Sequence, residues 1–122
     1  MQPILEEIQK EMGEYIYGID IGNQETALIK LLQEKQAKIA TAESCTGGLL
    51  SKRITDISGA SEVFEFGVCT YANCMKETVL GVNHEDLERL GAVSPEVAAQ
   101  MARGARDVAG AEIGIGITGI AG

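Results

Sequence analysis

The chain predicts an α/β fold, a three-layer α/β/α sandwich with a mostly parallel sheet. Two observations predict it. Short apolar runs of strand length, at 38–43, 66–72 and 113–117, are separated by longer segments with helical periodicity. Strands alternating with helices in this way give a sheet covered by helices on both faces. A length of 122 residues, 45% hydrophobic and 23% charged, is that of one globular domain with a real core.

Each element has its own signal. Pro3 suits a first helical position, and Ile4, Ile8 and Met12 recur at helical spacing while Glu6, Glu7, Glu11 and Glu14 turn outward. Tyr15-Ile16-Tyr17 breaks that period and 18–22 reads as a connector, so residues 1–24 form a helix and connector ahead of a domain over 25–122. A helix starting near Gln24 would bury Ala27, Leu28, Leu31 and Leu32. The strand 38–43 leads into a helix over 46–56 with Leu50, Ile54 and Ile57 on one face. The strand 66–72 ends at Asn73, a suitable N-cap for a helix carrying Lys76, Val79 and Leu80 and stopped by Gly81. A short helix over 83–90 follows. Ser94-Pro95-Glu96 combines an N-cap serine, a proline at N1 and a first-turn carboxylate. The helix it opens turns Val97, Ala98, Met101, Ala105 and Val108 inward and ends at Gly110. In the last strand, isoleucines at 113, 115 and 117 share one face and Gly114 and Gly116 the other.

Composition excludes several functions. A net charge of −8 opposes nonspecific binding to nucleic acid or an anionic membrane, both of which need a basic surface. No apolar run approaches the roughly 18–20 residues that span a bilayer. Residues 1–7 lack the basic start and apolar stretch of a signal peptide, so a cytoplasmic protein is expected. Three cysteines, Cys45, Cys69 and Cys74, with no CxxC pair and one histidine, give neither a disulfide framework nor a zinc site. No metal and no cofactor are expected.

In parallel sheets ligands sit beyond the carboxyl ends of the strands, so the informative loops are 44–48, 72–73 and 118–122. Gly114-Ile115-Gly116-Ile117-Thr118-Gly119 spells GxGxxG, but two of its glycines lie inside a strand and suit close packing against the sheet. Glu43-Ser44-Cys45-Thr46-Gly47-Gly48 says more. Ser44 or Thr46 suits a helix N-cap. The same turn also holds a serine on a rigid strand end, with the amides of Thr46, Gly47 and Gly48 available to an anion or oxyanion. It follows the logic of a nucleophile elbow without being GxSxG.

A serine nucleophile needs a base. His84 stands between Asn83 and Glu85-Asp86 in a solvated first turn and is the weaker candidate. Lys76 follows the end of the second strand by a few residues, and with Tyr71 would form a Ser–Lys–Tyr group, an alternative to histidine triads. A solvated lysine on an amphipathic helix is the plainer reading of the same spacing. Arg103 and Arg106 fit a solvated helix face.

Taken together, Ala42–Gly48, Thr70-Tyr71-Ala72-Asn73 with Lys76, Leu80-Gly81-Val82, Gly91-Ala92-Val93-Ser94 and Thr118-Gly119-Ile120-Ala121-Gly122 resemble the C-terminal domain of the CinA competence/damage-inducible family. That domain is similar to nicotinamide mononucleotide deamidases. The resemblance implies hydrolysis of the amide of nicotinamide mononucleotide, giving nicotinic acid mononucleotide and ammonia. Ser44 would be the nucleophile, with Tyr71 and Lys76 handling protons. Thr46, Gly47, Gly48, Thr118 and Gly119 would bind the oxyanion or substrate. It also implies a small-molecule nucleotide as ligand, a homodimer, no nucleic acid and no membrane. In the family a further strand and a final helix follow this loop. They are absent from the sequence, which would leave a sheet edge and apolar surface open, or met by that segment as a separate piece. The alternative is a catalytically silent, nucleotide-binding regulatory domain.

Overall fold

A computed structural model describes residues 24–120. The helix and connector expected over 1–24 lie almost wholly outside these residues. The order is α1 (Gln24–Lys35), β1 (Ile39–Glu43), α2 (Leu49–Thr55), a 3-10 turn (Ala60–Glu62), β2 (Phe64–Cys69), α3 (Asn73–Leu80), α4 (His84–Leu90), α5 (Pro95–Ala109) and β3 (Ile113–Ile117).

Every residue of β1 is buried, as the middle strand of a sheet covered on both faces must be. β2 and β3 flank it, both parallel to it. Successive side chains of β1 enter different cores. Ile39 packs with Ile29, Leu32, Ile54, Val63 and Ile113, which places α1 and α2 on one face; Arg53 of α2 also pairs with Glu25 of α1. Ala40 and Ala42 pack with Leu80, Leu87, Val97, Met101 and Ala105, placing α3, α4 and α5 on the other. The three layers are those expected.

Alanine on β1 and glycine on β3 let α5 lie very close to the sheet. A Cβ at Gly114 would stand 2.0 Å from the Ala102 carbonyl oxygen, and one at Gly116 would stand 2.3 Å from that of Ala98. The strand glycines therefore serve packing, and the GxGxxG string forms no dinucleotide turn.

Several boundaries differ from expectation. β2 runs from Phe64 to Cys69 rather than over 66–72, because pairing begins where Ile39 N donates to Val63 O (2.8 Å). A bulge between Ile39 and Ala40 then brings Gly67 opposite Thr41. α2 begins at Leu49 rather than 46, because Gly47 and Gly48 hold φ of 62° and 105°, which no right-handed helix admits. Ala72, not Asn73, occupies the N-cap of α3. In α1, Ile29 is buried with Leu31 and Leu32, and Ala27 and Leu28 are only half-buried. Val108 faces solvent, since Ala109, four positions after Ala105, takes the inward place in the last turn of α5. The N-cap signal at Ser94 is realised, its hydroxyl accepting from Val97 N at 3.3 Å. Among the described residues no helix is long and apolar enough to cross a membrane.

Candidate active site

Ser44 is the first residue past β1, and its amide donates to Ile117 O of β3 (3.0 Å). One residue earlier, Glu43 O accepts from Thr70 N (2.8 Å). The serine is thus held from both neighbouring strands. It is 6% exposed.

Lys76 reaches it from the first turns of α3. Lys76 Nζ lies 3.0 Å from Ser44 Oγ, and donates to the carbonyl oxygens of Thr70 (2.8 Å) and Tyr71 (3.0 Å). The lysine is 1% exposed, so the reading of a solvated lysine does not hold. Burial pushes its ammonium below the ordinary lysine value, against the opposing influence of the Cys69 and Cys45 thiols when these ionise. With two N–H directions set by carbonyls, the third tetrahedral direction points to the serine. As an ammonium, Lys76 donates there; as a neutral amine, it presents a lone pair to the serine hydroxyl. The geometry serves either protonation state. Thr70 is also buried, and its hydroxyl has no hydrogen-bond partner among the described residues.

Tyr71 contributes differently from expectation. Its residue is 70% exposed, and what meets Lys76 is its backbone carbonyl. The phenol makes no hydrogen bond among the described residues.

The turn after Ser44 is only partly as expected. Gly47 N donates to Ser44 O (3.1 Å) and is spent within the turn. The amides of Cys45, Thr46 and Gly48 have no acceptor among the described residues. The Thr46 hydroxyl donates to Glu43 Oε1 (2.7 Å), so Thr46 can offer an oxyanion its amide but not its hydroxyl proton. In the third loop, Thr118 Oγ1 donates to Ala92 O (2.8 Å), tying the end of β3 to the segment before α5. Gly119 borders the serine turn: a Cβ there would stand 3.1 Å from Cys45 Sγ. The loops after β1 and β3 therefore adjoin.

Sequence reasoning missed the role of Glu43. Fully buried, its carboxylate accepts from Leu50 N (2.8 Å), Ser51 N (2.9 Å), Ser51 Oγ (2.8 Å) and Thr46 Oγ1. Thr41 and Ser51 hydroxyls are in turn 2.8 Å apart. Burial alone would raise this carboxyl, but the donors from Thr46, Ser51 and Leu50 outweigh it and hold it below the usual carboxylate range. Glu43 thereby occupies the N-terminus of α2, which is not open to a second anion. The signal was present in β1, where alternation puts Thr41 and Glu43 on one face, toward a helix whose N-cap, Gly48, has no side chain to offer.

Other candidates lie outside the group. His84 is exposed, bonded to Glu77 (3.0 Å) and near Glu88 (3.7 Å), and the Glu77 hydrogen bond raises its ionisation above the ordinary histidine value. Arg103 is exposed, and Arg106 lies 3.5 Å from Asp107. Two concavities of about 260 and 300 Å3 lie around the starts of β1 and β2, lined among others by Gln33, Lys38 and Val63 and by Ile57, Ala60 and Phe64, at the far end of the sheet from Ser44. Among the described residues no three His, Cys, Asp or Glu side chains are grouped to hold a metal.

The family model of the CinA C-terminal domain matches residues 22–122. The chain is 48% identical over 121 residues to a CinA-like protein of Desulfovibrio desulfuricans, covering 99% of this chain and 28% of that relative. Among solved structures it is similar to the competence/damage inducible protein CihA of Agrobacterium tumefaciens, with a TM-score of 0.71, 39% identity and coverage of 76% of this chain and 55% of that one. A competence-damaged protein (CinA) superfamily protein of Escherichia coli gives a TM-score of 0.73 at 38% identity, covering 75% of this chain and 54% of that one. The chain thus spans little more than half of those solved chains and far less of the curated relative. By the family match and by these likenesses, it belongs to the CinA C-terminal domain family.

Proposed function

We propose that this domain is an amidohydrolase that converts nicotinamide mononucleotide to nicotinic acid mononucleotide and ammonia through Ser44. The observation that carries the reading is the 3.0 Å approach of a buried Lys76 Nζ to Ser44 Oγ. The substrate rests on the family resemblance of the motifs.

In this reading neutral Lys76 keeps two N–H bonds on the Thr70 and Tyr71 carbonyls and directs its lone pair at the Ser44 hydroxyl. As Ser44 Oγ bonds to the carboxamide carbon, its proton passes to Lys76. The carbonyl electron pair moves to oxygen, and the resulting oxyanion is met by two of the three unspent amides of the turn, those of Thr46 and Gly48. Collapse breaks the C–N bond, and the Lys76 ammonium returns its proton to the leaving nitrogen, releasing ammonia. Water, deprotonated by Lys76 in the same way, adds to the acyl carbon; the C–Oγ bond then breaks and the Lys76 ammonium returns the proton to Ser44 Oγ, releasing the acid. Tyr71 acts through its carbonyl, and Thr118 and Gly119 shape the adjoining loop.

Ammonia release from nicotinamide mononucleotide tests this, with Ser44→Ala as the decisive variant. The variant should fall to background while its stability changes by only about 1 kcal/mol, the net worth of one hydrogen bond. A folded alanine variant with undiminished turnover would overturn the assignment of the nucleophile.

A further inference from the structure

Glu43 presents an energetic question that helix capping does not answer. A serine or aspartate at position 48 would cap α2 from its own side chain. The chain instead has glycine there and buries a whole carboxylate one residue before Ser44. Among the described residues no cation compensates it; its partners there are four neutral donors. Burying a charge is expensive unless it is fully hydrogen-bonded, and this arrangement uses both oxygens twice. What distinguishes it from a local cap is what it joins: the end of β1, the turn at Thr46 and the first turn of α2.

We propose that Glu43 is the positioning residue of the Ser44 site, its carboxylate locking the serine turn to α2 so that Ser44 Oγ is held on Lys76 Nζ. This rests on Ser44 being the nucleophile. The logic is that of strand alternation. Glu43 and Ser44 are consecutive at the end of β1, so their side chains leave opposite faces. Glu43 is gripped on the α2 face, and Ser44 is addressed by Lys76 on the α3 face. Their backbone is pinned by Thr70 N on one side and Ile117 O on the other. Rotation of the serine about the chain is therefore opposed by the Glu43 carboxylate. Gly67 completes the lock. A Cβ there would stand 2.6 Å from both Ser51 Oγ and Thr41 Oγ1, so the β2 strand leaves the space in which the two hydroxyls lie.

Glu43→Gln separates this from mere capping. Glutamine keeps the shape and one acceptor oxygen, but places an NH2 against either the Thr46 hydroxyl and Leu50 amide or the Ser51 amide and hydroxyl. The turn then loses one of its two attachments. The probe is a fluorophosphonate that phosphonylates reactive serines, used at a range of concentrations on the whole chain, so that reversible binding and the bond-forming step are read separately. The expected result is a fall of about 10–10²-fold in the bond-forming rate constant, the range for a misplacement near 1 Å. The half-saturating concentration and the far-ultraviolet circular dichroism should stay close to those of the parent. Ser51→Ala, which keeps the Ser51 amide bond to the carboxylate, should show a smaller fall in the same constant, and provides the test if Glu43→Gln does not fold. Parental phosphonylation rates in the folded variants would overturn the proposal while leaving the nucleophile assignment intact. Failure of the parent to react with the probe would overturn both. A reactive parent that releases no ammonia from nicotinamide mononucleotide would remove the substrate reading, and the variant comparison would still decide on Glu43.

Discussion

At the scale of single residues, Lys76 is a costly side chain to keep, since burial disfavours its ammonium. Its folded ionisation lies below its unfolded value, so the unfolded chain binds more protons between the two. Stability therefore rises with pH through that window, and at neutral pH the burial of the amine opposes folding. A cost of this kind is retained where chemistry uses it. A lysine base works only when neutral, so the rate of ammonia release should rise with pH through the depressed value, below the reference of about 10.4. Lys76→Met should lose about 10²–10⁴-fold in the chemical step, and Lys76→Arg should fail as well because guanidinium does not deprotonate. His84→Gln should leave both rate and pH profile unchanged, as among the described residues its ring bonds to the Glu77 carboxylate and lies near Glu88 on the surface. Activity lost with His84 and kept without Lys76 would reverse the assignment. The place of Ser44 was legible because it sits at a strand end, where the fold class says ligands bind, whereas the spacing of Lys76 fitted a solvated lysine more plainly and only the fold brings it, buried, to Ser44. The outward turn of Tyr71 was not. Which way a side chain leaves a loop depends on the packing around it, and the loop's own sequence carries no period to reveal it.

Between α5 and β3 the controlling quantity is the distance from helix to strand. The glycine face of β3 was readable as a place of close approach, because an isoleucine–glycine alternation leaves one face without side chains. Its partner could be known only from topology. Gly114→Ala would put a methyl group 2.0 Å from the Ala102 carbonyl oxygen, in backbone that has no flexible end to give way. Overpacking of this kind costs about 1–3 kcal/mol, which for a domain of this size lowers the melting temperature by roughly 10 °C. A thermal scan of the variant checks it, and an unchanged melting temperature would mean that α5 lies further from the sheet. The limits of β2 were misread for a related reason. A bulge shifts pairing by one residue and so disturbs the alternation from which a strand is recognised. The start of α2 was misread because Thr46 is by residue type a suitable N-cap, whereas the positive φ of Gly47 and Gly48, which delays the helix to Leu49, is a matter of backbone that residue type leaves open.

Across the whole molecule, the order β2-β1-β3 puts Ser44 at the end of the middle strand. The three-layer class followed from alternating elements, and the faces of β1 sort the two cores as alternation requires. Binding and catalytic groups are disproportionately found on surface loops, which open with little free energy and can lose function well before the fold is lost. Here Ser44 N bonds to β3, Glu43 O bonds to the segment after β2, and every residue of β1 is buried. An excursion that frees Ser44 has to break its bond to β3 and pull against the bond from Thr70 to Glu43. In urea, inactivation should therefore coincide with loss of circular dichroism at a single midpoint, and reactivity of Ser44 toward a phosphonate should follow the same curve. Inactivation at clearly lower urea would mean that the turn melts by itself. If the curves coincide, activity becomes a direct gauge of the folded fraction, and any change that weakens either core will reduce the yield of working molecules without altering the turnover of those that remain.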